Sequence, residues 1–210
     1  MNSDKKIEYI TNWIKQYVNS LIFQPPSLVI GVSGGIDSAV TSTLCAKTGF
    51  KTIAISMPIK QNSSQHDLSI KHLDWLKNNF DNVKTLTIDL DKVFDSFSSL
   101  MKDFNNTLAF ANSRSRLRMI TLYQVAQAKK GIVVGTGNKV EDFGVGFYTK
   151  YGDGGVDISP IGDCNKSVVW ELGKELNILK DIIEAAPTDG LWDDGRTDEG
   201  QLGMSYNELE

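Results

Sequence analysis

The stretch SLVIGVSGGIDSAVTSTLCAK, residues 27–47, decides how this chain is read. Its first part, Ser27 to Ser33, is a continuous apolar run with β-branched residues, the pattern of a strand buried on both faces. Gly34 and Gly35 follow, and then Ile36, Asp37 and Ser38. The glycines let the backbone approach an anion closely and take turns that a side chain forbids. A helix is expected from about Asp37 to Lys47, stopped by Gly49. The loop Gly31, Val32, Ser33, Gly34, Gly35, Ile36, Asp37, Ser38 therefore opens onto a helix N-terminus, where free N–H groups and the macrodipole favour phosphate. Ser33 and Ser38 add hydroxyl donors. A Walker loop would place a Lys after its last Gly, but here the helix begins with an acid, Asp37. An anion beside phosphates is sensible if Mg²⁺ bridges the two, because a hard cation takes carboxylate and phosphate oxygens together. The alternative is that Asp37 caps the helix and the glycines form a tight turn.

Working outward, apolar runs alternate with helical patterns. Residues 4–20 carry Ile7, Ile10, Ile14 and Tyr17 on one helical face, and Pro25–Pro26 break the pattern. KTIAISMP reads as a second buried strand, VKTLTIDL as a third and GIVVGTG as a fourth, with helices expected over SSQHDLSIKHLDWLKNNF, residues 91–102, 112–130 and NKSVVWELGKELN. Residues 137–163 are expected to be a long glycine-rich loop, and the tail 187–203 a flexible one. The alternation implies crossover units and an α/β fold. The expected architecture is an open, mostly parallel five-stranded sheet with helices on both faces, Rossmann-like and similar to the adenine-nucleotide α-hydrolases, in one domain over residues 1–210. In such sheets ligands bind beyond the carboxyl ends of the strands. The opening loop, GTGNKVE and the residues after Pro58 all lie there.

The 210 residues suffice for one domain with a sizeable core. A net charge of −4 gives no electrostatic case for a nucleic-acid partner. The N-terminus has no signal-peptide core, and no apolar run approaches the roughly 20 residues of a membrane span. Cys45 and Cys164 form no motif and read as free thiols in a reducing, cytoplasmic setting.

The hexapeptide SGGIDS resembles the signature of the N-type ATP pyrophosphatases, which split ATP between the α- and β-phosphates and adenylate an oxygen. Four further stretches narrow the likeness: NSRSRLRM, GTGNKVE, GFYTKYGDGGVDISPIGD and PTDGLW occur in that order. Together they resemble the ammonia-using NAD synthetases, from about residue 27 to 206, and FYTKYGDGGVD is the most specific piece. The resemblance implies adenylation of the nicotinate carboxylate of deamido-NAD and displacement of AMP by ammonia. ATP and deamido-NAD are then substrates, and Mg²⁺ is the implied metal.

The resemblance also implies roles for single residues. The opening loop, Thr136, Lys166 and Thr188 match positions that contact ATP. Arg116, Lys150 and Asp157 match positions that bind deamido-NAD, and Asp37 and Glu141 match the Mg²⁺ ligands. Read as residues, Arg116, Met119, Tyr123 and Ala126 share one face of the helix 112–130, while Arg114 and Arg118 lie opposite as surface charges or phosphate contacts. The Arg116 stripe can equally end at solvent, Glu141 can be a solvated loop acid, and Thr188 and Asp153 can serve turns. Lys166 stands at a helix start, the wrong end for a cation by about 0.3–1 kcal/mol, and a bound phosphate reverses that cost. No side-chain nucleophile is needed, because ammonia attacks. His66 and His72 read as non-catalytic, and residues 60–66 and 187–203 as candidate lids.

Family members usually continue past the point where YNELE stands here, into helical sequence with a His-Lys pair. The chain is therefore expected to be a truncated, incomplete or minimal form. Family members are also homodimers, which makes the helix 112–130 a candidate interface. Two other functions compete: a GMP-synthetase-like or tRNA-modifying pyrophosphatase, which would want a basic face or an extra domain, and an ATP-binding module without turnover, which would lack Asp37 or Glu141.

Overall fold

The computed structural model describes residues 1–22, 27–61, 63–188 and 197–210. Its elements run α1 (Ser3–Ser20), β1 (Ser27–Gly31), α2 (Ile36–Lys47), β2 (Thr52–Ser56), α3 (Ser63–Asn79), β3 (Val83–Thr87), α4 (Asp91–Leu100), α5 (Thr107–Ala128), β4 (Gly131–Val134), α6 (Lys166–Glu175), α7 (Lys180–Ile183), α8 (Asp198–Leu202) and α9 (Tyr206–Leu209). A short 3-10 turn, Lys102–Phe104, links α4 to α5, and a π-helical stretch, Lys139–Val145, follows β4.

The strands are parallel in the order β3-β2-β1-β4. Strands β1 to β3 step one way across the sheet and β4 pairs on the other side of β1, so the strand order reverses between β1 and β4. In open α/β sheets that reversal opens a crevice at the carboxyl ends of the two strands. Side chains alternate across the sheet as period 2 demands. Leu28, Ile30, Ala54, Ile132 and Val134 face a core shared with α1, α2 and α6. Val29, Ile53, Ile55 and Val133 face a second core, which includes Ala126 of α5. Helices thus cover both faces, which explains why β1 and β2 read as continuous apolar runs. β3, at the edge, is only partly buried.

Among the described residues the sheet has four strands, where five were expected. The segment that comes closest to a fifth makes one isolated parallel bridge, Ile158 to Val134. Gly152, Gly154 and Gly155 precede it and Pro160 follows, which weakens strand geometry on one side and removes a ladder donor on the other.

Two stretches expected to be loops hold helical structure. In the glycine-rich run, Oδ1 of the buried Asn138 accepts from the N–H groups of Val140 (3.0 Å) and Glu141 (3.1 Å) and caps the π-helical stretch. In the tail, Thr197 accepts from the N–H of Gly200 (3.2 Å) and starts α8. Both starts are set by capping side chains, a signal that apolar periodicity does not carry. The proposed lid over 187–203 falls largely on residues 189–196, outside the described residues. In the 60–66 segment, α3 already begins at Ser63.

Candidate functional site

The loop after β1 is tied to itself before it meets any ligand. The Oγ of Ser33 accepts from the N–H of Gly35 (3.2 Å), and the Oγ of Ser38 donates to the carbonyl of Gly35 (2.9 Å). Gly34 has φ +95°, and a Cβ there would lie 2.6 Å from the carbonyl oxygen of Gln65. Only glycine lets the loop press against α3 in this way. Gly35 occupies the N-cap of α2 without a side-chain cap. The first bond within that helix runs from the N–H of Ala39 to the carbonyl of Gly35 (3.1 Å). The amides ahead of it are the orphan donors of a helix start, they belong to residues that line the crevice, and such a start is suited to an anion.

Asp37 does not cap the helix. Its Oδ2 lies 2.5 Å from Nζ of Lys166, and its Oδ1 accepts from Nδ2 of Asn138 (3.3 Å). Nζ of Lys166 also donates to Oε1 of Glu141 (2.9 Å). Three segments that are distant in sequence therefore meet at one ammonium: the start of α2, the π-helical stretch and the start of α6. Lys166 is 2% exposed. Burial disfavours its charge, but Asp37 and Glu141 outweigh burial and hold its pKa above the ordinary lysine value.

The site stays short of positive charge. Burial, opposed by Lys166 and reinforced by Glu141, leaves the Asp37 pKa above the usual carboxylate value. Burial, together with the negative charges of Asp153, Glu141 and Asp37, pushes the neighbouring Asp142 up to about 6. For Glu141, burial is outweighed by Lys166 and by the Tyr206 hydroxyl, so its pKa falls. One ammonium between two carboxylates, with a third beside them, is a donor set that fits a divalent cation. Mg²⁺ commonly uses one or two carboxylates and takes its remaining ligands from phosphate and water. Among the described residues no group of three or more acidic, His or Cys side chains could hold a metal by itself. Asp37 and Glu141 thus suit a metal that arrives with a polyphosphate.

These groups line a cavity of about 510 Å³ at the carboxyl ends of β1 and β4. All eight residues from Gly31 to Ser38 reach it, and so do Thr136, Glu141, Lys166 and Thr188. Arg116, Lys150 and Asp157 are not part of its lining. Arg116 is exposed and its Nε donates to the carbonyl of Lys150 (3.2 Å). Nζ of Lys150 lies 5.1 Å from the ring centre of Tyr151. Asp157 accepts from Tyr123 Oη (3.0 Å) and from the N–H of Val133 (2.7 Å). Lys150 thus meets α5 at Arg116, and Asp157 meets it at Tyr123. The face of α5 that does reach the cavity carries Ala111, Ser115, Arg118, Met119 and Leu122. Arg118 there donates through Nε to the carbonyl of Met57 (3.0 Å). Arg114 is not a surface charge: it is buried at 8% exposure, with its guanidinium 5.6 Å from the ring centre of Phe94.

Three contributors were given no site role from the sequence, although Asn138 and Asp153 lie within the quoted motifs and Asp153 was read as a turn residue. Asn138 joins the loop after β4 to Asp37. Asp153 accepts from Ser115 Oγ (2.7 Å) and from the N–H of Thr149 (3.0 Å), which pins the YGDGG turn to α5. Tyr206 is 2% exposed, and its hydroxyl lies 2.5 Å from Oε1 of Glu141. The polar GTGN run after a strand could have flagged Asn138. Nothing local to Tyr206 could have flagged its partner. Gly137 has a packing reason as well, because a Cβ there would lie within 1.9 Å of an Asp142 carboxylate oxygen.

A parallel sheet with a glycine-rich helix start and a carboxylate–ammonium cluster at its carboxyl edge is the architecture of nucleotide-binding α/β proteins, and comparison with known proteins narrows the class. The NAD synthase family model matches residues 6–210, and the chain belongs to that family. It is 36% identical over 218 residues to an NH(3)-dependent NAD(+) synthetase of Carboxydothermus hydrogenoformans, covering 100% of this chain and 85% of the relative. Among solved structures it is similar to an NMN synthetase from Francisella tularensis, with TM-score 0.91 and 35% identity, covering 100% of this chain and 84% of that one. It is also similar to an NH3-dependent NAD synthetase from Campylobacter jejuni, with TM-score 0.78 and 30% identity, covering 87% and 77%. Among the described residues no helix is long and apolar enough to cross a membrane.

Proposed function

We propose that this chain is an ammonia-dependent, AMP-forming ligase of the cytoplasm that converts deamido-NAD to NAD. The observation that carries the reading is the convergence of the Gly31–Ser38 loop, Asp37, Glu141 and Lys166 in one cavity. A carboxylate oxygen of the nicotinate ring attacks the α-phosphorus of ATP, and the bond from that phosphorus to the β-bridging oxygen breaks. Pyrophosphate leaves into the amides at the start of α2 and the hydroxyls of Ser33 and Ser38. Ammonia then attacks the acyl-adenylate carbon, loses a proton, and the carbon–oxygen bond to AMP breaks. Lys166 sets fixed positive charge against the charge that builds on the phosphates, where preorganised donors count most. Asp37 and Glu141 would hold Mg²⁺, which neutralises phosphate charge and orients the leaving group when bound. Thr136 and Thr188, which also line the cavity, are assigned to ATP. Arg116, Lys150 and Asp157, outside that cavity, are assigned to the far end of the dinucleotide.

A homodimer is part of the proposal, with exposed apolar side chains of α4 and α5 as its candidate seam. Leu100 (79% exposed), Phe104 (75%), Leu108 (58%) and Ile120 (58%) leave apolar surface on α4, α5 and the turn between them, and a second copy packed there would cover it. Sedimentation of the protein against its Ile120→Glu variant tests this: a dimer that the variant splits is the expected result.

A second reading follows from the likeness to an NMN synthetase: the same chemistry on nicotinate mononucleotide. Both are tested by incubating the protein with Mg-ATP, ¹⁵N-ammonium and either acceptor. Labelled NAD formed with equal AMP and pyrophosphate is expected. A strong preference for the mononucleotide selects the second reading, and release of ADP and phosphate sinks both. A parallel arm with glutamine reads the nitrogen source.

A further inference from the structure

We propose that Tyr206 is a positioning residue for the metal carboxylate Glu141, and that α8 and α9 thereby form part of the catalytic site's support. The inference rests on the assignment of Glu141 to Mg²⁺ above. The Tyr206 hydroxyl meets Oε1 of Glu141 at 2.5 Å, and the ammonium of Lys166 meets the same oxygen at 2.9 Å. Two donors converging on one oxygen fix the rotation of the carboxylate. A buried ligand held in this way keeps its geometry without a metal present, which lowers the cost of binding one.

The phenol is itself held firmly. Its ring stands edge-on to Trp170, 5.8 Å between centres, and the Lys166 ammonium lies 5.0 Å from its centre. The N–H of Tyr206 donates to Oε1 of Glu199 (2.8 Å), at the start of α8. Glu210 accepts from the N–H (2.7 Å) and Oγ (2.5 Å) of Ser167, next to Lys166. The segment 197–210 is thus docked on the first turn of α6, and its one contact with a site carboxylate is the Tyr206 hydroxyl among the described hydrogen bonds. An ordinary core tyrosine would need only some acceptor for its hydroxyl. Here Asp198 Oδ2 lies 3.5 Å away within the same segment, and the nearer acceptor is a residue of the reaction site, 65 positions away in the chain.

The test is Tyr206→Phe, which keeps the ring against Trp170 and Lys166 and deletes only the oxygen. Binding of Mn²⁺ as a spin probe, with a non-hydrolysable ATP analogue present, is measured by electron paramagnetic resonance alongside thermal unfolding. The exposed Tyr9→Phe serves as control. The expected result is Mn²⁺ bound about tenfold more weakly, within the range for a lost outer-shell partner, with an unfolding midpoint close to that of the parent. Mn²⁺ binding within about twofold of the parent overturns the inference, since outer-shell losses are larger. A collapse of the unfolding midpoint also overturns it and makes the hydroxyl a purely structural group. Absence of Mn²⁺ binding in the parent protein overturns the metal assignment itself, and is distinguishable from the other two results.

Discussion

Nζ of Lys166 lies 2.5 Å from Oδ2 of Asp37, across 129 positions of sequence, and the pair is the point at which the start of α6 is fastened to the start of α2. The ammonium is buried and sits at the end of a helix where a cation is disfavoured. Its two carboxylate partners make that position tenable.

Replacing Lys166 by Met therefore leaves Asp37 and Glu141 facing each other without a counter-charge. Breaking a buried pair from one side costs about 3–5 kcal/mol, and urea unfolding should show a loss of that order. Mg²⁺ should restore part of it, and more than it adds to the parent, because it replaces the missing positive charge. A small loss with no response to Mg²⁺ would refute the charge argument.

Asp37→Asn has the opposite signature. Lys166 keeps Glu141 as its partner, so the cluster becomes neutral and the unfolding midpoint should move little. Turnover should drop by about 10²–10³-fold, as for loss of one charge-stabilising group in a transition state. If activity and stability fell in proportion, the metal role of Asp37 would be lost.

Gly34→Ala should be harmful for two reasons that a second variant separates. Gly34 and Gly49 both have positive φ, +95° and +79°. An alanine at Gly49 meets nothing within 4 Å and carries only the backbone cost, about 1–2 kcal/mol. At Gly34 the new methyl would also collide with the Gln65 carbonyl, at 2.6 Å. Gly34→Ala should therefore lose more stability than Gly49→Ala and also weaken ATP binding by calorimetry. Equal effects of the two on both measurements would count against the tight-loop account.

His72 supplies a pH dependence. Burial pulls its pKa from the ordinary 6.5 down to about 4, against an opposing bond to the Ala39 backbone. The unfolded chain takes up this proton below pH 6.5, and the folded chain only near 4. Stability is then full above 6.5, is lost as pH falls through that window, and the loss reaches about 3 kcal/mol below 4. His72→Gln should flatten the unfolding midpoint between pH 6.5 and 4.5 relative to the parent. An unchanged slope would show that the ring does not titrate in this range.

The glycine loop, its strand and its helix were legible in residues 27–47, because every signal there is local: an apolar run, two glycines and a helix start. The Asp37–Glu141–Lys166 cluster was legible only through family likeness, since its members lie on separate segments. The phase of α5 shows where local reading stops. Tyr123 and Ala126 were read onto the Arg116 face, yet Met119 turns to the cavity and Arg116 does not. Seven-residue neighbours on a helix identify a face but not what that face meets. Tyr206 is the extreme case, an ordinary aromatic in a polar tail whose importance comes from a partner far away in the chain.

Asn138 caps the π-helical stretch with its oxygen and reaches Asp37 with its nitrogen. One amide thus stitches together the bottoms of two loops that rise from neighbouring strands. Any change in the spacing between the start of α2 and the π-helical stretch must break that amide's bonds, so a single buried side chain acts as the gauge of the cleft.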